Sequence, residues 1–294
     1  MLIKALVLGS NGQLGQSLRD QFVNTDYEVI FTSREQIDIT DFEAAKASIL
    51  DIMPVIVINA TAYTSVDRAE EQINEADLIN HLAVENLASI CGEIDSWLVH
   101  VSTDYVFDGE AFMPYLEDDQ TAPKGVYGQT KLDGELAIQS SNCKYIIIRT
   151  AWIFSEYGNN FLKTMLRLGS DHDDLSIVGD QVGCPTYAQD LAACIVDILP
   201  LITARSIFSD VYHYCGDQPC SWFEFANEIF VKARSFGFCV PSNLKSIPSS
   251  DYQTVASRPK YSVLDCSKIN RKLGISCCNW QAGVTKSLEK LALE

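Results

Sequence analysis

Tyr127-Gly128-Gln129-Thr130-Lys131 places a phenol and an ammonium four residues apart. On a helix these two side chains lie one above the other on the same face. An ammonium beside a phenol favours the phenolate, so Lys131 is expected to lower the Tyr127 pKa from about 10 toward working pH. A phenol tuned in this way exchanges a proton with a carbonyl or alcohol oxygen. The spacing alone is a weak signal, because an amphipathic tyrosine and a solvated lysine on one helical turn share it. It gains weight from Ser102-Thr103-Asp104, which ends an apolar run before a long loop and the Tyr127 helix. A hydroxyl at a strand end can hydrogen-bond a substrate carbonyl, and Thr103 would add a small oxyanion-type contribution.

Those groups need a scaffold, and the start of the chain supplies one. Residues 2–8 form a Leu and β-branched run suited to a strand buried on both faces. It ends at Gly9-Ser10-Asn11-Gly12-Gln13-Leu14-Gly15, and Leu14, Leu18 and Phe22 then follow a helical period. Strand, glycine loop and helix is the beginning of a dinucleotide-binding unit. The glycines let the backbone turn and approach a pyrophosphate at the helix N-terminus. A second strand over 28–32 leads to Arg34, which suits a 2′-phosphate and favours NADPH, with NADH as the alternative. Asp38-Ile39-Thr40-Asp41 caps a helix running to about residue 53.

Further strands are expected over 55–59, 97–102 and 145–149, with a helical region over 69–91. Asn59-Ala60-Thr61-Ala62-Tyr63-Thr64 leaves the C-terminal end of one of them, where a doubly wound sheet binds its ligand. Beyond Thr186 the alternation loosens. A helix carrying Leu191, Ile195 and Ile198, a strand at Tyr212-His213-Tyr214 and a helix capped by Ser221 follow, and residues 179–186 read as a loop. The pattern predicts an α/β, Rossmann-type doubly wound parallel sheet with a smaller C-terminal substrate-binding lobe. Residues 1–150 form the nucleotide domain, with further strands from 151–215, and 151–294 form mainly the interleaved lobe. His100, His172 and His213 lack neighbours for a metal site or a nucleophile triad and read as structural; His81 reads as a surface or capping residue.

The 294 residues carry a net charge of -17, which argues against a nucleic-acid or anionic-membrane partner. An anionic small ligand would need local donors. The ten cysteines form no Cys-x-x-Cys and no zinc spacing. Nothing in the sequence reads as a secretory leader, and no apolar run is long enough for an expected membrane span. A reduced, cytoplasmic protein with mostly buried thiols is expected.

Several longer motifs join these features: Arg149-Thr150-Ala151-Trp152, Asp180-Gln181-Val182-Gly183-Cys184-Pro185-Thr186 and Ser257-Arg258-Pro259. With Gly9 to Gly15, Ser102 to Phe107 and Tyr127 to Lys131, the chain resembles the dTDP-4-dehydrorhamnose reductase family of extended short-chain dehydrogenases/reductases. The resemblance implies NADPH-dependent reduction of the C4 carbonyl of dTDP-4-dehydro-L-rhamnose to dTDP-L-rhamnose, in nucleotide-sugar biosynthesis for cell-surface polysaccharide. It implies Thr103, Tyr127 and Lys131 as catalytic residues. Cofactor contacts would come from Gly9, Asn11, Gly12, Gln13, Leu14, Gly15, Arg34, Asp38, Ile39, Ala62, Tyr63 and Thr64, as well as Tyr127 and Lys131. Thr103, Asp104, Trp152 and Arg258 would meet the dTDP-sugar, Arg258 through its diphosphate. Some members hold Mg²⁺ at a dimer interface through acidic side chains. Ser17 and Gln189 stand at the aligned positions, which argues against a metal here and leaves a homodimer open. Two other readings stay open: a related nucleotide-sugar reductase or epimerase, and a non-catalytic regulatory subunit resembling that of methionine adenosyltransferase.

Overall fold

The computed structural model describes residues 2–204 and 206–293. In its first half, β1 (Ile3–Leu8), α1 (Gln13–Phe22), β2 (Tyr27–Thr32), α2 (Phe42–Ile52) and β3 (Ile56–Asn59) alternate. Short helices α3 (Val66–Ala69) and α4 (Ile73–Asp77) follow, then a π-helical turn over Leu78–Leu82 and α5 (Ala83–Glu93). Next come β4 (Trp97–Thr103), α6 (Val126–Ser140) and β5 (Lys144–Thr150).

The second half is less regular. It contains β6 (Ile153–Phe154), α7 (Phe161–Asp171), β7 (Asp174–Val178), β8 (Val182–Gly183), β9 (Thr186–Tyr187) and α8 (Ala188–Thr203). After these come β10 (Asp210–His213), β11 (Cys220–Ser221), α9 (Trp222–Ser235), β12 (Asn243–Ile247), α10 (Ser267–Leu273) and α11 (Trp280–Leu291).

Six strands form one parallel sheet in the order β10-β5-β4-β3-β1-β2. Side chains alternate between its faces with the pleat. Ala5 and Val7 join Leu14, Leu18, Leu191 and Ile195 on one face, under α1 and α8. Leu6 and Leu8 join Ala45, Ile49, Val84 and Leu87 on the other, under α2 and α5. Helices therefore cover both faces, as expected for a doubly wound sheet. A separate core of Phe154, Leu162, Tyr187, Phe225, Trp280 and Val284 holds the smaller lobe together.

Two expectations need correction. The region over 69–91 is not one regular helix. A break after Ala69 precedes α4, and the π turn inserts a residue where the Ala83 N–H reaches back to the Leu78 carbonyl. The buried Asn80 amide makes use of that turn, since it bonds both the N–H and C=O of Tyr63. The stretch over 179–186 is not a plain loop either. β8 pairs with β11 and β9 with β6, so it stitches the lobe to the end of the sheet. The ten thiols are free, and all but Cys239 and Cys277 are buried. Among the described residues, no helix is long and apolar enough to cross a membrane.

Candidate active site

The glycine loop is shaped by contacts that only glycine allows. Gly9 has φ +83°, and a Cβ there would lie 3.0 Å from the Ala60 carbonyl oxygen. A Cβ on Gly15 would lie 2.3 Å from the Gly9 carbonyl oxygen, which seats α1 against the end of β1. Gly12 is the N-cap of α1 and brings no side chain to it, so the first N–H groups of the helix face the loop.

A cleft of about 280 Å³ begins there, lined by Gly9, Asn11, Gly12 and Ala60 to Ala62 and, at its far end, by Arg34, Asp38 and Ile39. A second cavity of about 220 Å³ shares Gly12 and Ala60 to Ala62 and adds Gln13, Leu14, Thr64, Tyr127 and Lys131. Together they form one trough from Arg34 to Tyr127. Arg34 donates through Nε to Asp38 Oδ2 at 3.0 Å. Gly15 lies beneath the loop, and Tyr63 turns aside to Gln72.

At the inner end, β4 delivers Thr103 and the start of α6 delivers Tyr127. The Thr103 hydroxyl donates to Asp104 Oδ1 at 3.0 Å and accepts from the Tyr105 N–H at 3.2 Å. The Tyr127 ring packs edge-on against Tyr105 at 5.5 Å. Burial pushes the Tyr127 phenol up to about 12; the Thr103 hydroxyl opposes this and the Asp104 carboxylate adds to it. Burial also pushes the Asp104 carboxyl up to about 6, only partly offset by the Ser262 and Thr103 hydroxyls.

Lys131 does not act as its spacing suggests. Its Nζ donates to the Val101 carbonyl at 2.7 Å and lies 3.1 Å from His100 Nε2, all inside the protein. Burial pushes Lys131 down to about 8, against the pull of Glu135. The expected lowering of the Tyr127 pKa by Lys131 is therefore corrected: desolvation wins, and the phenol stays protonated. A protonated phenol is a proton donor, which is the form a carbonyl reduction consumes.

Trp152 and Arg258 belong to the lobe side. Trp152, at φ +48°, stacks on Trp222. Gly183 makes room for it, since a Cβ there would meet the indole at 2.6 Å. Trp222 and Arg258 line a cavity of about 260 Å³ with Phe161, Met165, Val178 and Gln181. Arg258 Nη2 donates to Asp67 Oδ2 at 2.8 Å, so it already spans from the lobe to the sheet end of the molecule.

Several contributors escaped the sequence reading. His100, read as structural, contacts Lys131. Gln13 Oε1 accepts from Ser155 and Asn160, tying the glycine loop to the lobe. Arg149 donates to Glu135 through Nε and Nη2 and to the Glu117 carbonyl through Nη1, and so anchors α6. The only advance hint of the first was His100 standing two residues before Ser102 on the same strand. The others join distant segments and leave no local pattern. At the aligned metal positions, Ser17 is buried and Gln189 bonds Asp20 and Glu156, with the Lys290 ammonium 2.6 Å from Glu156.

The family description "RmlD substrate binding domain" matches residues 3–293. The chain belongs to the dTDP-4-dehydrorhamnose reductase family. The dTDP-4-dehydrorhamnose reductase of Aggregatibacter actinomycetemcomitans is 40% identical over 284 residues, covering 95% of this chain and 96% of that one. The crystal structure of a dTDP-4-dehydrorhamnose reductase from Clostridium acetobutylicum superposes with a TM-score of 0.91 at 38% identity, over 98% of this chain and 99% of that one. The Bacillus anthracis dTDP-4-dehydrorhamnose reductase, solved in complex with NADP, gives 0.90 at 33% identity, over 99% and 100%.

Proposed function

We propose that this protein reduces the C4 carbonyl of dTDP-4-dehydro-L-rhamnose to dTDP-L-rhamnose with NADPH, a step of nucleotide-sugar biosynthesis for cell-surface polysaccharide. The observation that carries the reading is the trough that runs from Arg34 to Tyr127, in a chain of this family. The trough fits a dinucleotide: glycines where a Cβ would collide, a helix N-terminus with no side-chain cap, and an arginine at the end where a 2′-phosphate would lie.

NADPH bound in this trough supplies the hydride. Tyr127 gives its proton to the developing alkoxide. Thr103 turns its hydroxyl proton from Asp104 to the carbonyl oxygen and steadies it as its charge grows. Asp104 and Trp152 orient the sugar, and Arg258 turns toward the diphosphate by exchanging its contact with Asp67. Residues 1–150 serve the cofactor and 151–294 mainly the sugar nucleotide, in a cytoplasmic enzyme. An arginine, rather than an acid, at the end of β2 supports NADPH over NADH.

Loss of nicotinamide absorbance with a panel of 4-keto sugar nucleotides tests the reading. The dTDP-4-dehydro-L-rhamnose substrate should give the highest kcat/KM. Isomerisation of the sugar without consumption of NADPH would place the protein with the epimerases instead.

A further inference from the structure

We propose that Asp67 is an internal competitor for Arg258, and that it thereby sets how tightly the protein holds the diphosphate of its sugar nucleotide. The proposal rests on the reading of Arg258 as the diphosphate donor.

Arg258 stands at a fixed point of the backbone. The next residue, Pro259, packs on Gly109, where an added Cβ would come within 2.3 Å of Pro259 Cβ. The Tyr261 N–H donates to the Gly109 carbonyl at 3.1 Å. Further back, the Ser249 N–H and hydroxyl donate to the two carboxylate oxygens of Asp180 at 2.8 and 3.0 Å. With its backbone held on both sides, Arg258 changes partner by swinging its side chain. That side chain lines the lobe cavity of about 260 Å³.

Its present partner is incompletely matched. Asp67 reaches over from α3, three residues beyond Thr64 at the edge of the trough. Asp67 Oδ2 accepts from Arg258 Nη2 at 2.8 Å, while Oδ1 is taken by the Ala256 N–H at 3.1 Å. A carboxylate that binds arginine well uses both oxygens on two parallel N–H groups. Here one oxygen is left for the guanidinium, and Arg258 Nε is buried with no partner among the described residues. A buried N–H left unpaired carries a desolvation cost that an incoming acceptor removes. A diphosphate has oxygens enough to take Nε and Nη2 together.

The two acceptors compete for one guanidinium, because a carboxylate and a diphosphate on the same edge repel each other. The Asp67 contact must open before the diphosphate is held, and its return helps the ligand leave. This bears on turnover, since substrate and product carry the same diphosphate. An arginine without a competitor would hold both more tightly, a uniform binding that lowers KM without raising kcat. The pair is suited to exchange. Its side chains are 28% and 39% exposed, and ion pairs so placed are weak.

Isothermal titration with dTDP, which carries the diphosphate without the reacting carbonyl, tests this in wild type, Asp67→Asn, Arg258→Ala and the double variant. Asparagine keeps an oxygen for the Ala256 N–H and puts an NH₂, which only donates, where the guanidinium was held. Asp67→Asn should lower the Kd of dTDP about two- to fivefold, the range of a partly exposed ion pair. In the Arg258→Ala background the same substitution should leave the Kd unchanged. An unchanged or raised Kd in Asp67→Asn overturns the proposal. Equal tightening in both backgrounds also overturns it, since Asp67 would then act by repelling the ligand and not by holding Arg258. Asp67→Ser, which likewise keeps an acceptor for Ala256, gives the same comparison if the asparagine variant does not fold. Binding is read without turnover, so the two readings fail separately. Wild type that binds dTDP but reduces no 4-keto sugar nucleotide would sink the reductase reading and leave the competition intact, whereas no binding of dTDP by any of the four proteins would overturn both.

Discussion

Trp152 and Trp222 stack face to face, with ring centroids 3.5 Å apart and planes 8° from parallel. The first follows β5 of the sheet and the second opens α9 of the lobe, so the pair fixes how the lobe meets the reacting end of the trough. Trp152 holds a left-handed backbone, φ +48°, uncommon for a bulky residue and retained where the surroundings impose it.

Removing the support should show in binding. An aromatic stack contributes about 0.5–1.5 kcal/mol beyond burial, and about 1.4 kcal/mol is tenfold. Trp222→Ala should therefore raise KM for the sugar nucleotide several-fold, to about tenfold, and change kcat less. Steady-state kinetics at saturating NADPH measure the split. An equal fall in kcat and kcat/KM would mean the pair serves the transition state.

Asp104 makes stability depend on pH. Its folded pKa is raised from 3.8 to about 6 by burial. A group raised in the folded state contributes stability below its unfolded pKa and loses it as pH rises through the folded one. Ionised Asp104 therefore costs on the order of 3 kcal/mol near neutrality, and Asp104→Asn removes that cost. The variant should melt higher than wild type at about pH 8, and the gap should close toward about pH 4. Its activity should fall, since the carboxylate is placed to meet the sugar. Thermal melts across this range measure the gap; a gap independent of pH would contradict the account.

Buried and exposed ion pairs should behave differently. Arg149 and Glu135 have side chains 5% and 0% exposed, whereas Lys46 and Glu93 stand 41% and 50% exposed. Glu135→Gln strands a buried guanidinium and should cost about 3–5 kcal/mol. Lys46→Ala should cost less than about 1 kcal/mol. Urea unfolding of both variants checks the contrast, and comparable losses would refute it.

Cofactor choice rests on Arg34. Arg34→Ala should lower the NADPH/NADH ratio of kcat/KM by about tenfold or more, the value of one charge-assisted bond of roughly 1.5–3 kcal/mol. An unchanged ratio would leave Arg34 with Asp38 as its only task.

Much of this architecture was legible in the chain itself. β1 buries both faces, so its apolar run and the glycines after it read directly as strand and loop. The spacing of Tyr127 and Lys131 placed both on α6. Where Lys131 points was not legible, because its partner His100 lies on β4 and only the parallel pairing of β3 with β4 sets Asn59 beside that ring. The π turn at Asn80 hides within an ordinary helical period, since an i+5 bond leaves no mark on hydrophobic spacing. The Arg258 contact with Asp67 joins positions far apart in the sequence, which no local pattern reports.

The central claim is a hydride delivered to C4 and a proton delivered by Tyr127. NADPH deuterated at the transferred position, incubated with dTDP-4-dehydro-L-rhamnose and followed by NMR, tests it most directly. The account predicts dTDP-L-rhamnose with deuterium at C4 alone. It also predicts that Tyr127→Phe makes the same product about 10²–10⁴ times more slowly while still binding NADPH. Deuterium at another carbon, a sugar rearranged without loss of NADPH, or a Tyr127→Phe rate close to wild type would contradict it.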